Sequence, residues 1–207
     1  MTGYSRSGRW LMQIGTLAML AVGCAVSEHN WNETSENVPR GNLQGRWCST
    51  GNSSSWYLSG GEMGAYTLTH SEGAEYSYPV HQFRIADHDF VDIGVAIPTV
   101  SQTYHVLARI RTTGDSLGVG FLDPNWVWMA APELGAKTLS EGVPFSIPPG
   151  LVDVAGHLVG TGDAWQTILD HSVMLSAPTG RLREFLSTIA DSSASFPIVM
   201  TLTKCAE

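Results

Sequence analysis

The chain has 207 residues, of which 43% are hydrophobic and 14% charged, and its formal net charge is −8. The 19 acidic residues against 11 basic ones argue against nucleic-acid binding, because an acidic surface repels phosphates instead of releasing their counterions. The length suits one domain with a sizeable core.

The first 23 residues carry the pattern of a secretory signal peptide. Arg6 and Arg9 are the only charges there, and an apolar run of 13 residues, 10–22, follows them. Such a run is shorter than the roughly 20 residues that cross a bilayer as a helix, but it is typical of a signal peptide. The run leads into Ala-Val-Gly-Cys at 21–24. One interpretation of this pattern is an ordinary signal peptide, cleaved near Gly23 or beyond.

The sequence at 21–24 resembles the lipobox of bacterial lipoproteins, with Ala21 where that motif usually has Leu. The resemblance implies 1–23 as the signal peptide, lipid on Cys24, and a membrane as partner of the mature chain. Because Ala25 follows, and not Asp, it also implies an outer-membrane lipoprotein with its domain in the periplasm or at the cell surface. Removal of two arginines with the signal leaves a formal charge of −10.

The mature chain is predicted to begin with a tether, 24–42, because this segment is polar and shows no periodicity. A single β-rich domain is then expected over 43–207. With Cys24 lipidated, Cys48 and Cys205 remain, and an oxidising periplasm favours a disulfide between them. Both end strand-like runs, so terminal strands lying side by side would bring them within reach. Two buried free thiols are the alternative.

Short alternating runs separated by turn residues fill the domain up to residue 121. In chain order they read LQGRWCS, SWYLS, AYTLTH, YPVHQFRI, FVDIGVAI, TYHVLARIRTT and SLGVGFL. The sixth run places four apolar residues on one face: Tyr104, Val106, Ala108 and Ile110. The final run, FPIVMTLTK, is expected to do the same with Phe196, Ile198, Met200 and Leu202. These patterns predict a mainly β (α+β) fold, either an antiparallel sheet or a partly open barrel.

Two short helices are predicted in addition. The first begins with Asp123 as N-cap and Pro124 at the first helical position, and it runs toward Gly135. The second begins after Pro178 with Thr179 as the cap. Its apolar face comprises Leu182, Phe185, Leu186 and Ile189.

Two tryptophans in the first helix, Trp126 and Trp128, are two residues apart and cannot share a helix face. One is expected to pack inward. The other is expected at the surface, where an amphipathic ring can contact a partner or lipid headgroups.

The tetrapeptide GDSL at 114–117 matches the nucleophile signature of GDSL hydrolases. In that family the serine follows a buried strand near the start of an α/β fold, and a D-x-x-H pair completes the site. Here the tetrapeptide lies between two β runs, where Gly-Asp serves a hairpin turn. The nearest spacing, Asp153 to His157, is one residue too long. The sequence therefore favours a protein that is not an enzyme.

Asp87, His88 and Asp89, with His81 nearby, offer carboxylates and imidazoles of the kind that bind divalent cations. The same residue types are common in turns between strands, and no fixed ligand spacing accompanies them. Whether Asp87, His88 and Asp89 bind a metal is left open, and neither a metal site nor a cofactor is predicted.

Gly45-Arg46-Trp47, at the start of the domain, resembles the G-x-W motif of lipocalins, which are calycin-type barrels whose tryptophan closes one end. The late helix, 179–190, the strand after it and the terminal disulfide agree with this resemblance, whereas the T-D-Y segment of lipocalins is absent. G-x-W also occurs in other small bacterial barrels, including lipoproteins and periplasmic inhibitors of lysozymes and proteases.

The sequence thus predicts a non-enzymatic, membrane-anchored lipoprotein that acts by binding a protein or a small apolar ligand. One alternative is a lipocalin-like carrier, which needs an apolar cavity of roughly several hundred Å³. The other is a periplasmic inhibitor of a lysozyme or protease, which needs a protruding loop, expected within 138–162.

Overall fold

The computed structural model describes residues 25–33, 43–49, 55–70, 73–97, 102–130, 132–138 and 172–206. The strands in this part of the chain are β1 (Ala25–Ser27), β2 (Gly45–Ser49), β3 (Ser55–Gly60), β4 (Ala65–His70), β5 (Gly73–Ile85), β6 (His88–Ile97), β7 (Gln102–Thr113), β8 (Ser116–Phe121), β9 (Lys137–Thr138), β10 (Val173–Leu175) and β11 (Ile198–Lys204). The helices are α1 (Pro124–Ala130) and α2 (Thr179–Ile189), with 3₁₀ turns at Glu62–Gly64 and Pro132–Leu134.

Eight of these strands form a closed antiparallel barrel. Around the barrel they follow the order β2, β3, β4, β5, β6, β7, β8 and β11, and β11 pairs with β2 to complete the circle. The predicted mainly β fold with two short helices is therefore confirmed, and the barrel is closed. The Cys48–Cys205 disulfide is also confirmed; it joins β2 to the residue that follows β11.

The barrel interior is filled from the faces that the alternation predicted. On β7, Ala108 and Ile110 lie opposite Phe121 and Val119 of β8, so all four point inward. The buried members of this inner core come from every barrel strand and from Leu43: Leu43, Trp47, Trp56, Leu58, Tyr66, Val80, Val91, Ala108, Ile110, Leu117, Val119 and Leu202.

A second core covers the outer face of β5, β6 and β7. Phe83 and Phe90, on adjacent strands, stack with ring centroids 5.7 Å apart, and Phe196 packs edge-on against Phe90 at 5.4 Å. Helix α2 lies over this face and contributes the four apolar residues predicted for it, all of which are buried. The part of the barrel wall that α2 covers is therefore buried on both faces. Ala96, near the end of β6, and Ala65 and Thr67 of β4 are exposed on the outer face.

The N-terminal segment 25–33 is part of the fold, which corrects its prediction as a tether. β1 pairs with β7 on one side, with Val26 opposite Val106, and with β10 on the other. Trp31 is 0% exposed in the outer core. The physical reason is that β8 leaves the edge of β7 after Phe121, and β1 pairs with the backbone groups that would otherwise lack partners. The rest of the predicted tether, 34–42, lies outside the described residues.

The helix boundaries differ in detail from the prediction. Asp123 caps α1 as predicted, since its Oδ1 accepts the Asn125 N–H at 2.8 Å. Helix α1 ends at Ala130, earlier than expected, and Gly135 then adopts φ +65°. In α2 the cap position belongs to Pro178, and Thr179 is the first helical residue, so its prediction as the cap was wrong.

The final strand does not keep its four apolar residues on one face. Its register shifts between Ile198, which lies opposite Gly120, and Met200, which lies opposite Val119. The shift turns Ile198 to the outside, where it is 54% exposed, while Met200 and Leu202 point inward. Gly120 allows this approach, because a Cβ there would lie 2.7 Å from the carbonyl oxygen of Phe196.

Arg109 fixes the end of α2 to the barrel wall. It points outward from β7, is 9% exposed, and donates from Nη1 to the carbonyl oxygens of Ala190 at 2.8 Å and Ser192 at 3.4 Å. Burial, and then the neighbouring Arg111, lower the pKa of Arg109, against the opposing effect of Asp191. A cation at a helix C-terminus also interacts favourably with the helix dipole.

Replacing Arg109 with methionine should lower the free energy of unfolding by about 2–3 kcal/mol, because the buried carbonyls lose a charged donor. Urea unfolding followed by circular dichroism measures this. The matched control is Arg181→Met, which removes an exposed contact with Glu184 at 2.9 Å and should cost less than about 0.5 kcal/mol. Equal losses for the two variants would contradict the role assigned to Arg109.

Candidate functional site

One end of the barrel, here called the Trp47 end, is sealed by a tryptophan and a lysine. Trp47 is 1% exposed and donates from Nε1 to the carbonyl oxygen of Leu43 at 2.8 Å. The ammonium of Lys204 lies 4.5 Å from the centroid of the Trp47 ring and donates to the carbonyl oxygen of Gln44 at 2.6 Å. This cation–π contact and these hydrogen bonds hold the ring across the barrel.

Gly45 explains why the motif requires glycine at this position. Its φ is +123°, which favours glycine, and a Cβ there would lie 2.8 Å from the Lys204 ammonium. Any side chain at position 45 would displace the lysine from the Trp47 ring. Gly45 and Trp47 thus act together at this end of the barrel: the glycine leaves room for the Lys204 ammonium, which lies over the Trp47 ring.

The lining of the barrel is mostly apolar. Its deep polar groups bond to one another: the hydroxyl of Tyr66 donates to Oε1 of Gln82 at 3.3 Å and accepts the Leu43 N–H at 3.4 Å. Arg84 and Asp89 face each other near the Trp47 end, with 3.9 Å between Nη1 and Oδ1. In the described barrel strands, the charged side chains that point inward thus lie near the Trp47 end.

Toward the opposite end, here called the Tyr104 end, the barrel lining is less completely buried. Five apolar side chains there point into the barrel yet are only partly buried: Leu68, Ile93, Val106, Phe121 and Met200. Their direction follows from register, since Ile93 lies opposite Val80 and Val106, and Leu68 lies opposite the buried Leu58. A side chain that points into a closed barrel can be exposed only to space inside it or at its mouth.

Tyr104 lines this end together with the acidic residue that follows β1. Tyr104 points inward opposite Val95, and Glu28 follows Ser27, which lies opposite His105. Burial, and then the Glu28 carboxylate, raise the pKa of the Tyr104 phenol. The strand connections at this end, 50–54, 71–72 and 98–101, lie outside the described residues.

A buried polar cluster lies on the outer face of the same strands. The Asp92 carboxylate, 1% exposed, contacts Nδ1 of His105 at 2.9 Å and accepts the backbone N–H of Trp31 at 3.0 Å. Ser27, opposite His105, is 0% exposed, and its hydroxyl accepts the His29 N–H at 3.0 Å. These are the residue types of a nucleophilic triad, but a buried serine cannot reach a substrate. We assign the cluster a structural role, which is to hold segment 25–33.

The residues considered for metal binding are separated by the fold. Asp87 lies in the turn, His88 points outward and contacts Asp191 at 2.8 Å, and Asp89 points inward toward Arg84. Successive strand residues point to opposite faces, so these three side chains do not converge. The described ranges contain no group of three or more His, Cys, Asp or Glu residues that could hold a metal ion.

The remaining candidates fall into three sets. The GDSL tetrapeptide forms the hairpin turn between β7 and β8, where Gly114 has φ +57° and Ser116 begins β8. Cys24, the Asp153–His157 pair and the loop within 139–162 lie outside the described residues. Trp126 packs against the outer core while Trp128 is 40% exposed, which is the division expected for these two rings.

Comparisons with family models, with curated proteins and with solved structures find no match to this chain. Within the described residues, no helix is long and apolar enough to cross a membrane.

Proposed function

We propose that this domain binds a small apolar ligand inside its barrel, at the Tyr104 end, and that it does so without enzymatic activity. The observation that carries the proposal is the partial exposure of five apolar side chains that point into the barrel. In a barrel whose own side chains filled the interior, residues such as Ile93 and Met200 would be buried as completely as Ala108, which is 0% exposed.

The lining favours a neutral ligand over a charged one. Lys204 and Arg84, the inward cations, lie near the Trp47 end and already contact Gln44 and Asp89. At the Tyr104 end, the carboxylate of Glu28 would repel an anionic headgroup. Each methylene group transferred into the barrel contributes about 0.8 kcal/mol, so an alkyl chain of about 15 carbons contributes about 12 kcal/mol. After an association cost of about 4 kcal/mol, about 8 kcal/mol remains, which corresponds to micromolar affinity.

We also propose a location for the protein. It is a lipoprotein of the cell envelope, attached to the outer membrane through lipid on Cys24, with its domain in the periplasm or at the surface. The signal-like pattern over 1–23 supports it. The Cys48–Cys205 disulfide also supports it, because disulfides persist in oxidising compartments and are rare in the cytosol.

Titration with the neutral fluorescent probe aminoanthracene tests the binding site. We expect saturable enhancement of fluorescence with one equivalent bound. Ile93→Trp adds volume inside the barrel and should weaken binding at least ~5-fold, since overfilling costs about 1–3 kcal/mol. The matched control is Ala96→Trp, which places the same ring on the same strand but on the exposed outer face.

The outcomes separate cleanly once each variant is shown to be folded by circular dichroism. Binding that is lost in Ile93→Trp and kept in Ala96→Trp supports the barrel site. Equal affinity in both variants, or no saturable binding to the unsubstituted protein, would show that the barrel interior is not a ligand site.

A further inference from the structure

Ala25, the residue directly after Cys24, already belongs to the fold. Ala25 is 1% exposed and begins β1, which pairs with a strand on each side. Cys24 precedes Ala25 by one peptide bond, which places the two Cα atoms about 3.8 Å apart. A lipid on Cys24 would therefore be attached at the domain itself and not at the end of a tether.

Helix α1 begins beside this attachment point. Leu122 donates its N–H to the carbonyl oxygen of Leu107 at 3.4 Å, and Val26 lies opposite Val106. β1 and the residue after β8 thus occupy successive positions on the same edge of β7. Pro124, two residues beyond Leu122, is the first residue of α1. Val127 of α1 and Ala25 also belong to the same buried cluster.

The outer side of α1 is apolar and exposed. Trp128 is 40% exposed and Met129 is 77% exposed. Val127, which packs into the core, is 0% exposed. The helix reads PNWVWMA and contains no charged side chain. Tryptophan is enriched at membrane interfaces, where its ring contacts apolar chains and its N–H remains hydrated. A neutral, apolar helix surface enters that region with little desolvation cost.

We propose that Trp128 and Met129 contact the phospholipid bilayer to which Cys24 is anchored, so that the domain lies directly on the membrane with α1 against it. This rests on the proposed lipid anchor. Because α1 carries no lysine or arginine and the mature chain is acidic, the attraction is apolar and does not depend on anionic lipids. The exposed surface of α1 therefore contacts the headgroup layer of neutral phospholipids.

Tryptophan fluorescence in vesicles tests the contact. The full-length protein, purified with its lipid, is reconstituted into phosphatidylcholine vesicles whose acyl chains are brominated near the headgroup, and into vesicles without bromine. Bromine quenches tryptophan only at short range. We expect quenching in the unsubstituted protein, loss of most of it in Trp128→Phe, and no loss in Trp126→Phe, which alters the neighbouring ring packed on the core.

Intact mass and vesicle co-sedimentation of the same samples distinguish the failure of the contact from the failure of the anchor. Protein that carries lipid and sediments but shows no quenching, or equal quenching in Trp128→Phe, overturns the contact and leaves the anchor standing. Protein without lipid on Cys24 overturns both. Replacing Met129 with glutamate is a second variant, and it should abolish quenching while the lipid keeps the protein on the vesicle.

Discussion

Replacing Cys48 and Cys205 with alanine is expected to lower the free energy of unfolding by about 5 kcal/mol. The bridge joins residues 157 apart in sequence, and a loop of that length restricts the unfolded chain strongly. Since folded domains are stable by only about 5–15 kcal/mol, a loss of about 5 kcal/mol removes at least about a third of the stability. Urea unfolding monitored by tryptophan fluorescence measures the change.

The single variant Cys48→Ala is the informative control. Either single replacement opens the same bridge, so it should cost as much as the double replacement, and the two effects should not add. A loss below about 2 kcal/mol would mean that the unfolded chain stays compact enough for the bridge to restrict it little. Losses that add between the single variants would contradict a stabilisation that arises from the bridge.

Replacing Trp31 with alanine is expected to lower the free energy of unfolding by about 3–5 kcal/mol, because the change empties a large site in the outer core. Trp31 is 0% exposed, and its indole N–H donates to the carbonyl oxygen of His105 at 3.4 Å. Its backbone N–H also bonds to the buried Asp92. Thermal and urea unfolding measure the loss.

Trp128→Ala is the matched control for Trp31, because it removes the same side chain from an exposed position and should change stability by less than about 0.5 kcal/mol. If Trp31→Ala proved as harmless as Trp128→Ala, segment 25–33 would contribute nothing to the fold. In that case the segment would behave as the tether that its composition predicted.

The barrel wall was predictable because its signals are local. Alternation along 104–110 places side chains on two faces of β7 whatever the strand pairs with. Gly114-Asp115 likewise marks the following hairpin through the positive φ that glycine allows. The positions of Cys48 and Cys205 at strand ends near the two ends of the domain then implied their pairing.

The outer core was not predicted, because whether a strand face meets solvent depends on elements far away in the chain. His105 and Arg109 lie on the polar face of β7, yet β1 and α2 cover them. A signal was present in β6: the run FVDIGVAI has apolar residues at both odd and even positions, which is typical of a strand buried on both sides. Segment 25–33 was missed for a related reason, since β1 is a three-residue strand stabilised by its distant partners β7 and β10.

The candidate site was half predictable. Trp47 was expected to close one barrel end, and the short Gly-x-Trp pattern sufficed because glycine and tryptophan act together within one strand. The partial exposure of inward side chains at the Tyr104 end depends on how side chains from several strands fill a closed ring, which no single stretch of sequence encodes. The register shift that turns Ile198 outward and leaves Met200 inside is an example.

Methyl NMR with a nitroxide-labelled neutral alkane shows directly whether the barrel interior holds the ligand. The label broadens the resonances of methyl groups near it. Ligand binding inside the barrel predicts saturable broadening that is strongest at Leu68, Ile93 and Met200, which point inward, and weaker at Thr67 and Ala96, which are exposed on the outer face. Broadening confined to outer-face methyl groups, or broadening that never saturates, would contradict it.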